Sequence, residues 1–200
     1  MTLKNRKIIN ISLALALASC ICIGMTGFAD SCKDMYNNIV RIRIIANSDS
    51  CEDQTLKLKV RDGILEYSKN AFAYADSYDD AIKISNQNLD LFRQEAERIV
   101  NESGYNYPIG LRLGDEYFDT REYEDFTLPA GTYKTLVFTI GEGRGENWWC
   151  VMYPQVCVGS CSGELTDTIR DDSAEYAENA PKYVLKFKVV EVFEKIKKIL

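Results

Sequence analysis

Val40-Arg-Ile-Arg-Ile-Ile-Ala-Asn-Ser-Asp-Ser50 decides the reading of this chain. Apolar residues alternate with Arg41 and Arg43 and then run together at Ile44 and Ile45, which predicts a strand with one face buried. Asn47-Ser48-Asp49-Ser50 stops it with turn-forming residues, and Ser50 followed by Asp53 makes a capping-box pattern that starts a helix near Cys51 or Glu52. Leu56, Val60, Ile64, Tyr67 and Ala71 continue at helical spacing across an interior glycine, Gly63. A second helix start follows at Ser77, with Asp79 and Asp80 in its first turn. Its buried stripe is Leu89, Phe92, Ala96 and Ile99, and Gly104 ends it.

Working outward toward the C-terminus, the pattern turns to sheet. Ile109, Leu111 and Leu113 alternate with Gly110, Arg112 and Gly114, and an acidic, tyrosine-rich connection leads to Leu128-Pro-Ala-Gly131. Tyr133–Ile140 reads as a stronger strand, and Gly141–Glu146 as the tip of a hairpin that returns through Trp148–Tyr153 at the sheet's centre. The expected fold is α+β: a mostly antiparallel sheet with two consecutive helices on one face, plus a C-terminal amphipathic helix.

Toward the N-terminus, Lys4, Arg6 and Lys7 precede an apolar run from Ile8 to Met25, the form of a signal peptide over residues 1–29. Gly27-Phe-Ala29 places small residues where a signal peptidase reads, so cleavage before Asp30 is expected. An uncleaved anchor and lipidation at Cys20 are the two alternatives. The expected domain spans residues 30–161, residues 162–180 form an acidic linker, and residues 181–200 form a basic helix. Leu185, Val189, Val192, Phe193, Ile196 and Leu200 lie on one face of that helix, with six lysines around them. Packing on its own domain is one role for it; contact with a partner or membrane surface, through it or through the N-terminal segment, is the other.

Composition removes several function classes. The net charge of −6 becomes −9 once residues 1–29 are removed, which disfavours nucleic acid as a partner. The chain has no histidine, so Ser-His-Asp hydrolysis, Cys-His chemistry and histidine-containing metal sites are excluded together. The glycines of 141–145 run strand to strand and lack the spacing of a phosphate loop. No cofactor or metal is called for. Carboxylate-pair hydrolysis keeps Asp115, Glu116, Glu122, Glu124 and Glu146 as formal candidates. Five cysteines follow the leader; a local bridge between Cys150 and Cys157 is one reading, and five small buried hydrophobes the other. Successive tryptophans on a strand face opposite ways, so one of Trp148 and Trp149 should be buried and the other available as an interaction anchor. Arg41 and Arg43 point off one strand face, either to acids of this chain or to a partner.

Three segments carry a resemblance: Arg41-Ile-Arg-Ile-Ile-Ala-Asn-Ser-Asp-Ser50, Leu128-Pro-Ala-Gly131, and Gly145-Glu-Asn-Trp-Trp-Cys-Val151 with Tyr153-Pro154 and Cys157. Together, over about residues 39–160, they resemble the stage II sporulation protein R family of endospore-forming Firmicutes. The resemblance implies a non-enzymatic signal made in the forespore and secreted into the intermembrane space. Its implied partner is a membrane-embedded aspartic protease of the mother cell that processes pro-sigma-E. The family motifs bring no catalytic residues. The partner-binding candidates are therefore chosen as polar or aromatic groups at strand ends, Asn47, Ser48 and Asp49 with Asn147, Trp148 and Trp149, joined by Arg41 and Arg43. The competing reading is a peptidoglycan-modifying hydrolase.

Overall fold

The computed structural model describes residues 3–123, 126–154 and 169–199. Helix α1 (Leu3–Asn38) leads into β1 (Val40–Ile45), followed by α2 (Cys51–Ala71), α3 (Tyr78–Gln87) and α4 (Leu89–Glu102). Strands β2 (Ile109–Phe118), β3 (Arg121–Glu122), β4 (Thr127–Leu128), β5 (Gly131–Ile140) and β6 (Asn147–Tyr153) come next. Helices α5 (Asp171–Glu178) and α6 (Ala180–Ile199) close the described chain. The fold is α+β, with a four-stranded sheet in the order β2-β5-β1-β6 and a small antiparallel β3-β4 pair. β1 runs parallel to β5, while β1–β6 and β2–β5 are antiparallel.

That order overturns the expected hairpin. β5 and β6 are consecutive in sequence but not paired, because β1 lies between them. Val40, Arg41, Ile42 and Ile44 are all fully buried, so β1 needs a neighbour on each edge and cover on each face. A six-residue connection easily spans the roughly 10 Å between strands two places apart. It crosses the end of β1, where the Gly145 and Arg144 amides donate to the Ala46 and Asn47 carbonyls at 3.0 and 3.1 Å.

On one face, α2 and α4 cover Val40, Ile42, Ile44, Leu136, Phe138 and Ile140 with Leu56, Val60, Ile64, Phe92, Ala96 and Val100. The start signals stand where the sequence places them: the hydroxyls of Ser50 and Ser77 accept from the Asp53 and Asp80 amides at 3.1 and 3.2 Å. Gly63 marks the close approach of α2 to α4, since a Cβ there would collide with the Ile99 side chain. The second expected helix is broken into α3 and α4 at Asn88, whose side chain donates to the Ile84 carbonyl at 2.8 Å and competes with the helical ladder.

The opposite face is covered as well, by the end of α1 and by a segment that the sequence assigns to a linker. α1 continues through the expected cleavage point to Asn38, and its Met35, with Ile39, packs beside Phe118, Leu128, Tyr133 and Val151. The acidic stretch is helical rather than flexible over Asp171–Glu178, burying Ala174 and Ala177 against the same cluster. α6 turns Phe187 and Val190 toward Phe28 and Cys32 of α1, leaving outside the apolar face that the sequence would bury. Among the described residues, no helix is long and apolar enough to cross a membrane.

Candidate partner-binding site

The end of β1, the start of β6 and the crossing loop between β5 and β6 meet at one end of the sheet. Register alone brings Ile45 opposite Asn147, Ile44 opposite Trp148 and Arg43 opposite Trp149. Seven of the eight expected site residues therefore share this region, although more than 90 positions separate the two segments in sequence.

Asn47 joins the segments. Its side-chain oxygen accepts from the Glu142 amide at 2.9 Å, and its side-chain nitrogen donates to Asp53 at 2.8 Å. Asp49 accepts from the Glu146 amide at 2.6 Å, and the Ser48 hydroxyl donates to Asp53 at 2.5 Å. Gly145 lies so close to the Ser48 carbonyl that a Cβ would collide with backbone, and Gly141 takes a left-handed φ of +57° beside Asn47. The loop is thus rigid, with the polar groups of Asn47, Ser48 and Asp49 partly occupied in holding it.

Asp53 and Lys57 are the residues that sequence reasoning misses. Both are buried on α2. Burial alone would raise the Asp53 pKa, but hydrogen bonds from Ser48, Asn47 and Tyr107 outweigh it and hold the carboxyl below its ordinary range. Lys57 donates to the Glu146 carbonyl at 3.1 Å, and burial pushes its pKa down against the pull of Glu146 and Asp49. The capping pattern announces Asp53; its reach back to Asn47 and Ser48 has no sequence signal, because it depends on how the loop folds over the helix start.

The tryptophans depart from the expected division into one buried and one free. Both are half-buried, each with a guanidinium near its ring: Arg61 at 5.4 Å from the centroid of Trp148, and Arg121 at 4.3 Å from that of Trp149. Trp148 lies against the α2–α4 side and Trp149 against the other, so the edge strand presents an aromatic–cation pair on each face.

The two strand arginines have different fates. Arg43 donates to Asn147 at 2.9 Å and pairs with Glu116 at 2.7 Å. Arg41 has no acid partner among the described residues. Its fully buried guanidinium stands 3.8 Å from the Phe118 ring centroid and 5.0 Å from that of Tyr133, and it donates to the Tyr123 hydroxyl. Nε and Nη1 have no hydrogen-bond partner among the described residues. The expectation of pairing within the chain holds for Arg43; Arg41, which pairs with no acid among the described residues, lies outside the candidate surface.

Two of the five carboxylates proposed for hydrolysis, Asp115 and Glu116, are committed to cations. Asp115 pairs with Lys134 at 2.9 Å, and Glu116 is held by Arg43 and Arg112. Burial favours the neutral form of Glu116, yet the two arginines outweigh it and keep its pKa low, the opposite of what a general acid requires. A groove of about 420 Å³ beside these residues is lined also by Tyr117, Thr132, Glu194 and Lys197. Glu122 is exposed, and Glu124 lies outside the described residues. Among the described residues, no cluster of three or more Cys, Asp or Glu could hold a metal ion. Cys150 is disulfide-bonded; Cys157, its expected partner, lies outside the described residues. Cys32 is a free buried thiol pushed up to about 12, chiefly by burial, and is chemically quiet.

Residues 36–162 match the family described as stage II sporulation protein R. This chain belongs to that family. The chain is also 33% identical over 136 residues to the stage II sporulation protein R of Bacillus subtilis (strain 168), a match covering 68% of this chain and 61% of that relative's length. No solved structure matches. The family region begins at Tyr36, whose hydroxyl donates to the Ala130 carbonyl at 2.6 Å and whose ring fills the space that a Gly131 side chain would need. The Leu128-Pro-Ala-Gly131 segment therefore anchors the end of α1, while the other two family segments build the sheet end described above. Most of α1, with α5 and α6, lies outside the family region.

Proposed function

We propose that this chain is an exported sporulation signal that works by binding and carries no catalytic group. In this reading it is made in the forespore and secreted into the intermembrane space. There it activates the mother cell's membrane-embedded aspartic protease, which processes pro-sigma-E. One observation carries the proposal: two family segments far apart in sequence combine into a single rigid end of the sheet that presents Arg43, Asn147, Trp148 and Trp149. Tryptophan and arginine are the residue types that anchor interfaces. The commitment of Asp115 and Glu116 to cations supports binding over hydrolysis. An activator of this kind must bind the protease's active state more tightly than its inactive state.

The test reconstitutes the full chain with the membrane protease and its pro-sigma substrate, comparing wild type with Trp148→Ala and Asn147→Ala. Wild type should stimulate cleavage, and a variant that keeps its circular dichroism and melting profile should lose about tenfold or more, the loss of one anchor residue at an interface. If stimulation by wild type requires added peptidoglycan, the hydrolase reading replaces this one.

A further inference from the structure

Helix α6 is packed by the wrong face for an ordinary amphipathic helix. Tyr183, Phe187 and Val190 turn toward α1, where the Phe28 ring lies 5.0 Å from that of Phe187, centroid to centroid. The more apolar side is left bare: Leu185 is 78% exposed, Phe193 63%, Val192 57% and Ile196 52%. At 3.6 residues per turn these four share one arc, opposite the packed seam.

The charges on α6 are sorted around that arc. Lys188 and Lys195 border it on one side and Lys197 on the other, each paired in the free chain with Glu191 or Glu194, while Lys186 is turned to the packed seam with its ammonium 4.9 Å from the Tyr176 ring centroid. Glu191 and Glu194 are turned away from it, with side chains only 14% and 15% exposed. α6 carries six lysines against two glutamates in a chain of net charge −6. Apolar side chains between two borders of long cationic ones suit a surface that is apolar below and anionic above, because lysine stems lie along the apolar layer while their ammonium groups reach outward.

We infer that α6 lies in the plane of an anionic lipid surface, with Leu185, Val192, Phe193 and Ile196 in the acyl boundary and its bordering lysines among the headgroup phosphates. The site of attachment agrees. α6 is held against Phe28 and Cys32 of α1, and the earlier part of α1 exposes Ile9, Ile11, Leu13 and Leu15, a second lipophilic surface on the same helix. A second copy of this chain fits the face poorly, since apposing two such arcs brings their lysine borders together.

Trypsin tests the inference on the full chain. Cleavage after Lys188 and Lys195 is followed by mass spectrometry and normalised to cleavage after Lys83, an exposed lysine on another helix, α3. The protein is presented on phosphatidylcholine vesicles, on vesicles with 30% phosphatidylglycerol, and in detergent. Phosphatidylglycerol should slow both α6 cleavages by about tenfold relative to neutral vesicles, and 0.5 M salt should reverse most of the effect. L185S/F193S, which changes only side chains exposed in the free chain, should remove the protection, and F193S alone should give an intermediate value. Equal rates on both vesicle types overturn the inference. So does protection in lipid-free detergent that grows with protein concentration, which would assign the face to a second copy.

Discussion

The two faces of the central sheet are built on different principles. On the α2–α4 side, Val40, Ile42, Ile44, Leu136, Phe138 and Ile140 meet helices that follow β1 directly in sequence. On the other side, a buried guanidinium stands among Phe118, Tyr123 and Tyr133, and the cover comes from segments at the two extremes of the chain, Met35 at one end and Ala174 and Ala177 at the other. The first face shows what local periodicity can specify. The second shows that a sheet takes cover from wherever the chain supplies it, including a stretch whose composition reads as linker.

The largest effect should distinguish the faces directly. Phe92→Ala removes a fully buried ring that packs 5.1 Å from Tyr67, centroid to centroid, and should cost about 3–5 kcal/mol, lowering the denaturant midpoint of the whole domain. Phe28→Ala empties only the small cluster between α1 and α6. It should release α6, seen as faster hydrogen exchange there, while leaving that midpoint nearly unchanged. Equal losses of midpoint would show that the α1–α6 cluster and the sheet unfold as one unit, and the contrast would fail.

How much of this was legible follows from the same contrast. The strand at Val40–Ile45, the caps at Ser50 and Ser77, and the apolar stripe from Leu56 to Ile64 are local patterns, and they stand as read. The hairpin reading failed because strand adjacency is decided by which strand most needs burial. Arg41 made β1 look half-polar, whereas aromatic rings cover it. The candidate site was legible in part: the residues were named, but their convergence depends on β1 entering between β5 and β6, which no spacing announces. Asp53 and Lys57 were hidden for the same reason, since each has its partner across a loop that forms only in the folded chain.

An intermediate effect concerns the rigid sheet end, which ties the first face to the candidate site. Asp53 has a depressed pKa when folded, so its stabilising contribution is complete above the ordinary aspartate value of 3.8 and is lost as pH falls through the lower, folded value. Asp53→Asn keeps an oxygen able to accept from both Ser48 and Asn47, which donate to one carboxylate oxygen, but removes the negative charge that strengthens those bonds. It should cost about 2 kcal/mol at pH 7, the scale of a charge-assisted hydrogen bond. Urea midpoints measured from pH 7 to pH 3 should show the gap between wild type and variant constant down to about pH 4 and shrinking below it. A gap independent of pH across that range would mean that shape, and not charge, holds the loop.

The smallest effect is the sharpest test of the second face, because it has the opposite sign to intuition. Among the described residues, Arg41 is the largest fully buried side chain, yet two of its nitrogens have no hydrogen-bond partner and it pairs with no carboxylate. Stacking on Phe118 and the bond to Tyr123 offset part of the cost of dehydrating the cation, and each such aromatic contact contributes only about 2 kcal/mol when desolvated. Arg41→Met keeps most of the volume and removes the charge, so its stability should lie within about 1 kcal/mol of wild type or above it, as for other buried ions replaced by apolar residues. Arg41→Ala leaves a cavity among three rings and should lose about 3 kcal/mol. If Met costs as much as Ala in the same urea titration, the guanidinium contributes through its charge, and the second face would be organised by that cation just as the first is by its apolar stripe.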